Sequence, residues 1–252
     1  MTPLERTRLE KALADHGFDL TPVLDAGWLV SRSTQHTATV WLRYEPDGTI
    51  RLAAAHPGIR TALMKEGMVC ANDSDVPAGA VWVTQAPGFK HFYALLGRFA
   101  ALARSLPNQV AKRFVETTKT LPKTTEAERL VVQRIGQNLF REALIDYWQG
   151  RCAVTGLDIV PLLRASHIKP WAACASDEER LDVFNGLLLA SHLDALFDGG
   201  WITFSEHGEP QVSPRLSVHQ RELLGLTTLP AVIALAPEHQ AYLAYHREKV
   251  FA

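Results

Sequence analysis

The chain has 252 residues, 47% of them hydrophobic and 21% charged, which excludes a disordered or fibrous polypeptide and suits one large domain or two small ones. No apolar run reaches the roughly eighteen residues of a membrane-spanning helix, so a span is not expected. A formal net charge of −1 excludes a globally basic surface, and any nucleic-acid contact must be local. The first residues, MTPLERTRLEKALADHGF, are charged and have no apolar secretory core. Three cysteines, Cys70, Cys152 and Cys174, lie far apart and form no C-x-x-C pair. Together these features predict a cytoplasmic protein with reduced thiols.

In chain order, residues 4–16 read as an amphipathic helix with Leu4, Leu9 and Leu13 among charges, ending near Gly17. Short β-type runs follow at 27–32, 38–44 and 49–55, with Pro46-Asp47-Gly48 as a hairpin signal between the last two. A short helix is expected at 59–67, a strand at 80–84 and a helix at 91–105. Residues 1–105 thus form a small α+β domain. Trp28, Trp41, Trp82, Phe89, Phe92 and Tyr93 offer it either a core or an aromatic platform and pocket for a flipped base. Residues 106–125 are polar, contain Pro107 and Pro122, and read as a connector to a third region, 126–252. The stretch from Lys112 to Arg141, with Arg113, Lys119, Lys123, Arg129 and Arg134, is the best candidate for a local basic surface or simply a solvated face. Thr125 and Glu128 make a capping box for a helix whose apolar face runs from Leu130 to Trp148 and stops before Gly150.

The chemistry-bearing residues cluster at 152–204. Residues 162–168 (LLRASHI) read as a strand ending at His167, and Lys169-Pro170-Trp171 stops it. An acidic irregular loop is expected over 172–183, then Asn185-Gly186 and a second strand at 187–189. Ser191 can cap a helix over 192–198 that Gly199-Gly200 terminates, and 201–204 returns as a strand. Phosphodiester hydrolysis needs a base that works near neutral pH and a divalent ion to stabilise developing charge. His167 at a strand end suits the first role. Asp194 and Asp198, spaced i and i+4, share a helix face and offer hard oxygens for Mg²⁺ or Mn²⁺. The Asn185 amide can hydrogen-bond the loop after His167.

The stretch RCAVTG…LLRASHIKPW…NGLLLASHLDALFDGGWITF resembles the HNH endonucleases of the ββα-metal fold, in the bacterial subgroup associated with restriction and defence. The upstream TEAERLVVQRIGQNLFREALIDYWQG and downstream LP…YLAYHREKVF are similar to the same subgroup, extending the likeness to 124–252. The resemblance implies an α+β chain in which a helical connector joins the N-terminal domain to a ββα-metal nuclease domain. It makes His167 the general base, Asn185 the structural asparagine, Asp194 the main metal ligand and Asp198 a second one. Ser166 stands where many relatives carry an acidic or imidazole ligand, so it contributes weakly. His192 falls two residues before the ligand position and would approach phosphate instead, as would Lys169 and Arg164. The cysteine pairs that often bind zinc are reduced to Cys152, so no structural zinc is expected.

Plainer roles stand beside these. His167 could be a core histidine, Asp194 the partner of Ser191 in a capping box, Asp198 a helix-end residue, and Asn185-Gly186 a turn pair. The expected function is a metal-dependent nuclease acting on double-stranded DNA, with residues 1–105 supplying specificity; a double-strand break would require a homodimer or two successive events. The alternatives are a catalytically weak DNA-binding protein, favoured by Ser166, and a structure-specific or RNA-directed nuclease.

Overall fold

The computed structural model describes residues 1–68, 75–122, 124–233 and 235–251, so Cys70 and Lys123 lie outside the described residues. The chain is mixed helix and sheet and divides into two compact units, Met1–Arg104 and Ser105–Ala252. Among the described residues no helix is long and apolar enough to cross a membrane.

The first unit begins with α1 (Pro3–Asp15), started by a capping box between Thr2 and Glu5. An antiparallel meander follows: β1 (Val23–Asp25), β2 (Trp28–Ser31), β3 (Val40–Tyr44), β4 (Ile50–Ala54) and β5 (Trp82–Ala86), adjacent in chain order. Strand β1 is not evident in the sequence. It turns into β2 through Ala26 and Gly27, whose φ values of 46° and 83° give the twist a two-residue hairpin requires. Alanine is an unusual residue there, which hides the turn. Helix α2 (Pro57–Lys65) connects β4 towards β5, and α3 (Phe89–Ser105) follows β5.

Strand alternation sorts the aromatics. Val30, Trp41, Ala53 and Val83 pair across four strands on one face, where they cluster with Trp28. Trp82 points to the other face and meets Phe99 of α3, with ring centroids 6.2 Å apart. Trp28, Trp41, Trp82 and Phe92 are all buried, so these four form core and not an open base-binding platform. Phe89 and Tyr93 are half-buried under Arg8, His16 and Asp15.

The second unit corrects the reading of 106–125 as a polar connector. Residues Pro107–Thr118 form helix α4, which packs on α5 (Glu126–Tyr147). Val110, Phe114 and Thr118 recur every four residues on one buried stripe, and the polar residues between them mask it in the sequence. Helix α5 has the Thr125–Glu128 capping box. Strands β6 (Leu163–His167) and β7 (Gly186–Ala190) form an antiparallel hairpin with Leu163 opposite Ala190 and His167 opposite Gly186. The intervening loop is more ordered than expected: it contains a 3₁₀ turn at Trp171–Ala173 and the short helix α6 (Asp177–Arg180). Helix α7 (Ser191–Asp198) packs on both strands of this hairpin. Strand β7 is buried along its whole length, between α5 and α7.

Beyond α7 come the hairpin β8 (Ile202–Phe204) and β9 (Pro210–Val212), then α8 (Val218–Leu223) and α9 (His239–Lys249). Helix α9 braces the end of α7. His246 is buried, its Nε2 lies 3.1 Å from the Phe197 carbonyl and its Nδ1 lies 2.9 Å from the Thr203 hydroxyl. A carbonyl only accepts, so Nε2 carries the proton and Nδ1 accepts from Thr203. The imidazole also stacks on the Phe197 ring with centroids 3.8 Å apart. Gly200 admits the chain's last residues: a Cβ there would lie 2.1 Å from the Val250 carbonyl oxygen.

Candidate active site

The site is built on the β6–β7 hairpin and α7. Adjacent residues of a strand point to opposite faces, so His167 and Ser166 serve different sides of β6. His167 faces α5. Its Nε2 lies 2.8 Å from the Arg180 carbonyl oxygen, which obliges Nε2 to donate and leaves the lone pair of the neutral ring on Nδ1. Nδ1 has no partner among the described residues, nor is it among the buried nitrogens sealed from solvent. Burial pushes the His167 pKa below its ordinary value, and the bond to Arg180 opposes that shift only in part. The ring is therefore neutral at pH 7, as a base must be.

Asn185 is fully buried at the foot of β7. Its Oδ1 accepts from the Lys169 backbone N–H at 2.7 Å, while its Nδ2 donates to the Lys169 and Glu179 carbonyls at 3.2 Å and reaches Cys174 Sγ at 3.3 Å. One amide thus ties the residues after His167 to the loop that supplies the Arg180 carbonyl. The Arg180 guanidinium closes the same loop on the carbonyls of Trp171 and Cys174.

On the other side of β6, Ser166 is buried and its hydroxyl donates to Asp198 Oδ1 at 3.5 Å. The same hydroxyl favours the charged form of Asp194. Burial nevertheless pushes the Asp194 pKa up, against Ser166 and the more distant Arg164. The Asp198 carboxyl is also pushed up, first by desolvation and then by the neighbouring Asp194 charge, although the residue as a whole reaches solvent. Two carboxylates therefore sit together beside one hydroxyl, with no cation in direct contact among the described residues. Arg164, whose charge acts on Asp194, donates to the carbonyls of Pro161 and Leu163.

Among the described residues no three His, Cys, Asp or Glu side chains form a metal cage. The donor set is two carboxylates and a hydroxyl. Those hard oxygens, uncompensated and partly open to solvent, fit an ion such as Mg²⁺ or Mn²⁺ that keeps several waters. Asp194 and Asp198 would hold it, with Ser166 beside them.

The remaining expected residues are distributed differently. His192 is exposed and, two residues from Asp194, lies roughly 160° round the helix from it. Lys169 is paired within the loop: its Nζ lies 2.6 Å from Glu179 Oε1, and it sits over the Tyr245 ring. Ser191 is not the helix cap. The cap position is Ala190, without a side-chain bond, and the Ser191 hydroxyl donates to the Leu162 carbonyl. This removes the capping-box role for Asp194. Cys152 Sγ accepts from the backbone N–H groups of Thr155 and Ala190.

Four neighbours of the site are not evident in the sequence: Phe140, Trp171, the Arg180 carbonyl and Gly186. The only hint of them was glycine at 186, which reads equally well as a turn residue.

A ββα hairpin-and-helix carrying a histidine, a buried asparagine and a helical carboxylate pair is the layout of a nuclease module. Residues 152–205 match the family model described as HNH endonuclease, so this segment of the chain is an HNH domain. A comparison with curated proteins returns no match.

Proposed function

We propose that this chain is a metal-dependent endonuclease that cuts double-stranded DNA, with His167 as general base and Asp194 and Asp198 as the metal ligands. The observation that carries the reading is the His167 ring: its Nε2 proton is committed to the Arg180 carbonyl, so Nδ1 is left to take a proton from water. Asn185 keeps that carbonyl and the strand end in register. A divalent ion at the carboxylate pair would stabilise charge on the scissile phosphate and the leaving oxygen. Arg164, exposed next to the carboxylates, is the candidate phosphate contact; His192 is less well placed. A role in restriction or defence, with specificity from residues 1–105, rests on the subgroup that the sequence resembles. One such site cuts one strand, so a double-strand break needs a dimer or two successive events.

Plasmid cleavage in Mg²⁺ and in Mn²⁺ tests the reading. His167→Ala should abolish cutting while leaving the fold and DNA binding intact. Wild-type cleavage by that variant would remove His167 as the base. Ser166, in place of a third charged ligand, supports a second reading as a nuclease fold that binds DNA without cutting it. DNA binding with no cleavage of duplex DNA, branched DNA or RNA in any divalent metal would select it. Cleavage confined to branched DNA or RNA would redirect the substrate.

A further inference from the structure

We infer that Phe140, on α5 and upstream of the segment that matches the HNH family, is a positioning residue for His167; the inference rests on the nuclease reading above. The Phe140 ring lies almost parallel to the imidazole, with centroids 3.9 Å apart and planes inclined by 17°. Trp171 meets the imidazole edge-on, with centroids 5.4 Å apart and planes at 87°. The Arg180 carbonyl holds Nε2. One face and one nitrogen are thereby taken, with a second ring set at right angles, and Nδ1 is the ring nitrogen left without a partner among the described residues.

Gly186 makes this stack possible. It is the cross-strand partner of His167. Its backbone is extended, at φ −148° and ψ 146°, so any residue could adopt the conformation. Space is what excludes a side chain: a Cβ would lie 2.6 Å from Phe140 Cζ and 2.8 Å and 2.9 Å from the Leu144 methyl carbons. The hairpin gives up a side chain opposite His167, and α5 fills the space with an aromatic ring. The adjacent Arg141 fastens α5 to the same strand, donating to the carbonyls of Leu163 and Val160. Helix α5 is thus part of the catalytic framework, although it lies outside the minimal ββα segment.

A purely structural Phe140 would change stability and leave the turnover of folded molecules alone. A positioning Phe140 sets the plane of the base and so keeps Nε2 on the Arg180 carbonyl, and misplacement of a reacting group by about 1 Å costs on the order of 100-fold in rate. The test uses the full chain with Phe140→Leu, Gly186→Ala and the double variant. Phe140→Met serves as a milder substitution should Phe140→Leu fail to fold. Two quantities are read: kcat and KM for duplex plasmid in Mn²⁺, and the tautomer and line width of the His167 ring in long-range ¹H–¹⁵N spectra of the metal-free protein.

Phe140→Leu should lower kcat roughly 10- to 100-fold with KM unchanged, and its His167 signals should broaden or show a mixture of tautomers. Gly186→Ala should do the same and also lower the melting temperature. In the double variant the clash with Phe140 is relieved and only the Leu144 methyls still crowd the new Cβ, so stability should recover in part relative to Gly186→Ala while kcat stays low. Wild-type kcat in Phe140→Leu or Phe140→Met, with a single Nε2–H tautomer, would overturn the inference and leave the nuclease reading standing. If the wild-type chain cuts no nucleic acid, that reading fails instead, and the ring spectra decide the inference: loosening supports it, and an unchanged ring overturns it.

Discussion

At the residue scale the site sets a carboxylate pair against its own fold. Asp194 and Asp198 have pKa values raised by burial, and Asp198 also by the charge of Asp194. A carboxyl whose folded pKa exceeds its unfolded value makes the fold less stable as pH rises through that interval, so at neutral pH the metal-free pair is a strain. Asp194→Asn should therefore raise the melting temperature in a chelator while abolishing cleavage. The wild-type chain should gain about 2.7 kcal/mol at a metal concentration 100 times its Kd, and the variant much less. Thermal melts with and without Mn²⁺ measure both. Asn185 has the opposite character, since its amide satisfies several backbone groups in a fully buried position. Asn185→Ala would leave them unpaired at about 1–3 kcal/mol for each buried group. A drop of at least about 2 kcal/mol in urea unfolding is expected, with cleavage lost as the loop releases the Arg180 carbonyl.

At the element scale, α5 and α9 hold what the hairpin and α7 present. Helix α5 carries Gly136, where a Cβ would lie 2.9 Å from Trp171 Cη2 and 3.3 Å from Phe114 Cε2. Glycine-to-alanine in a helix interior ordinarily stabilises by about 1 kcal/mol. Here the two rings cannot both stay in place, and overpacking costs about 1–3 kcal/mol. Gly136→Ala should thus destabilise the second unit by about 1 kcal/mol. It should also slow cleavage, because Trp171 packs at right angles to the His167 ring. Denaturant melts and initial rates check the two effects, and a stabilised variant with normal rates would mean that Trp171 relaxes freely.

At the scale of the whole molecule, each unit contains a buried histidine held neutral. His36 in the first unit and His246 in the second are 4% and 1% exposed, and burial pushes both pKa values down to about 4. Neither has an acid close enough to offset its burial: Asp19 favours charged His36 against Arg104, and Arg247 opposes charged His246. The unfolded chain takes up these protons first, near pH 6.5, so stability is complete above that pH and falls as acid approaches pH 4. Each group accounts for about 3 kcal/mol over that interval. Calorimetry between pH 7.5 and 4.5 should show both units losing stability. His246→Gln should flatten the slope of the second unit and leave that of the first.

Much of the candidate site's layout is legible locally. The capping box at Thr125 and Glu128, the i and i+4 carboxylates and the order of His167, Asn185 and Asp194 are short-range patterns that backbone geometry converts directly into positions. Helix α4 is illegible because the stripe of Val110, Phe114 and Thr118 is interrupted by polar residues and preceded by a proline. Strand β1 is hidden in the sequence because its turn uses alanine at positive φ. What only the tertiary structure decided is the state of the site. Which nitrogen of His167 is free depends on a carbonyl in another element, and its ring plane depends on Phe140 reaching past Gly186. The ion pair of Lys169 with Glu179, ten residues on, likewise depends on how the loop folds back. Spacing along a chain fixes which residues share a strand or helix face; a proton's location and a ring's orientation depend on groups that folding alone brings together.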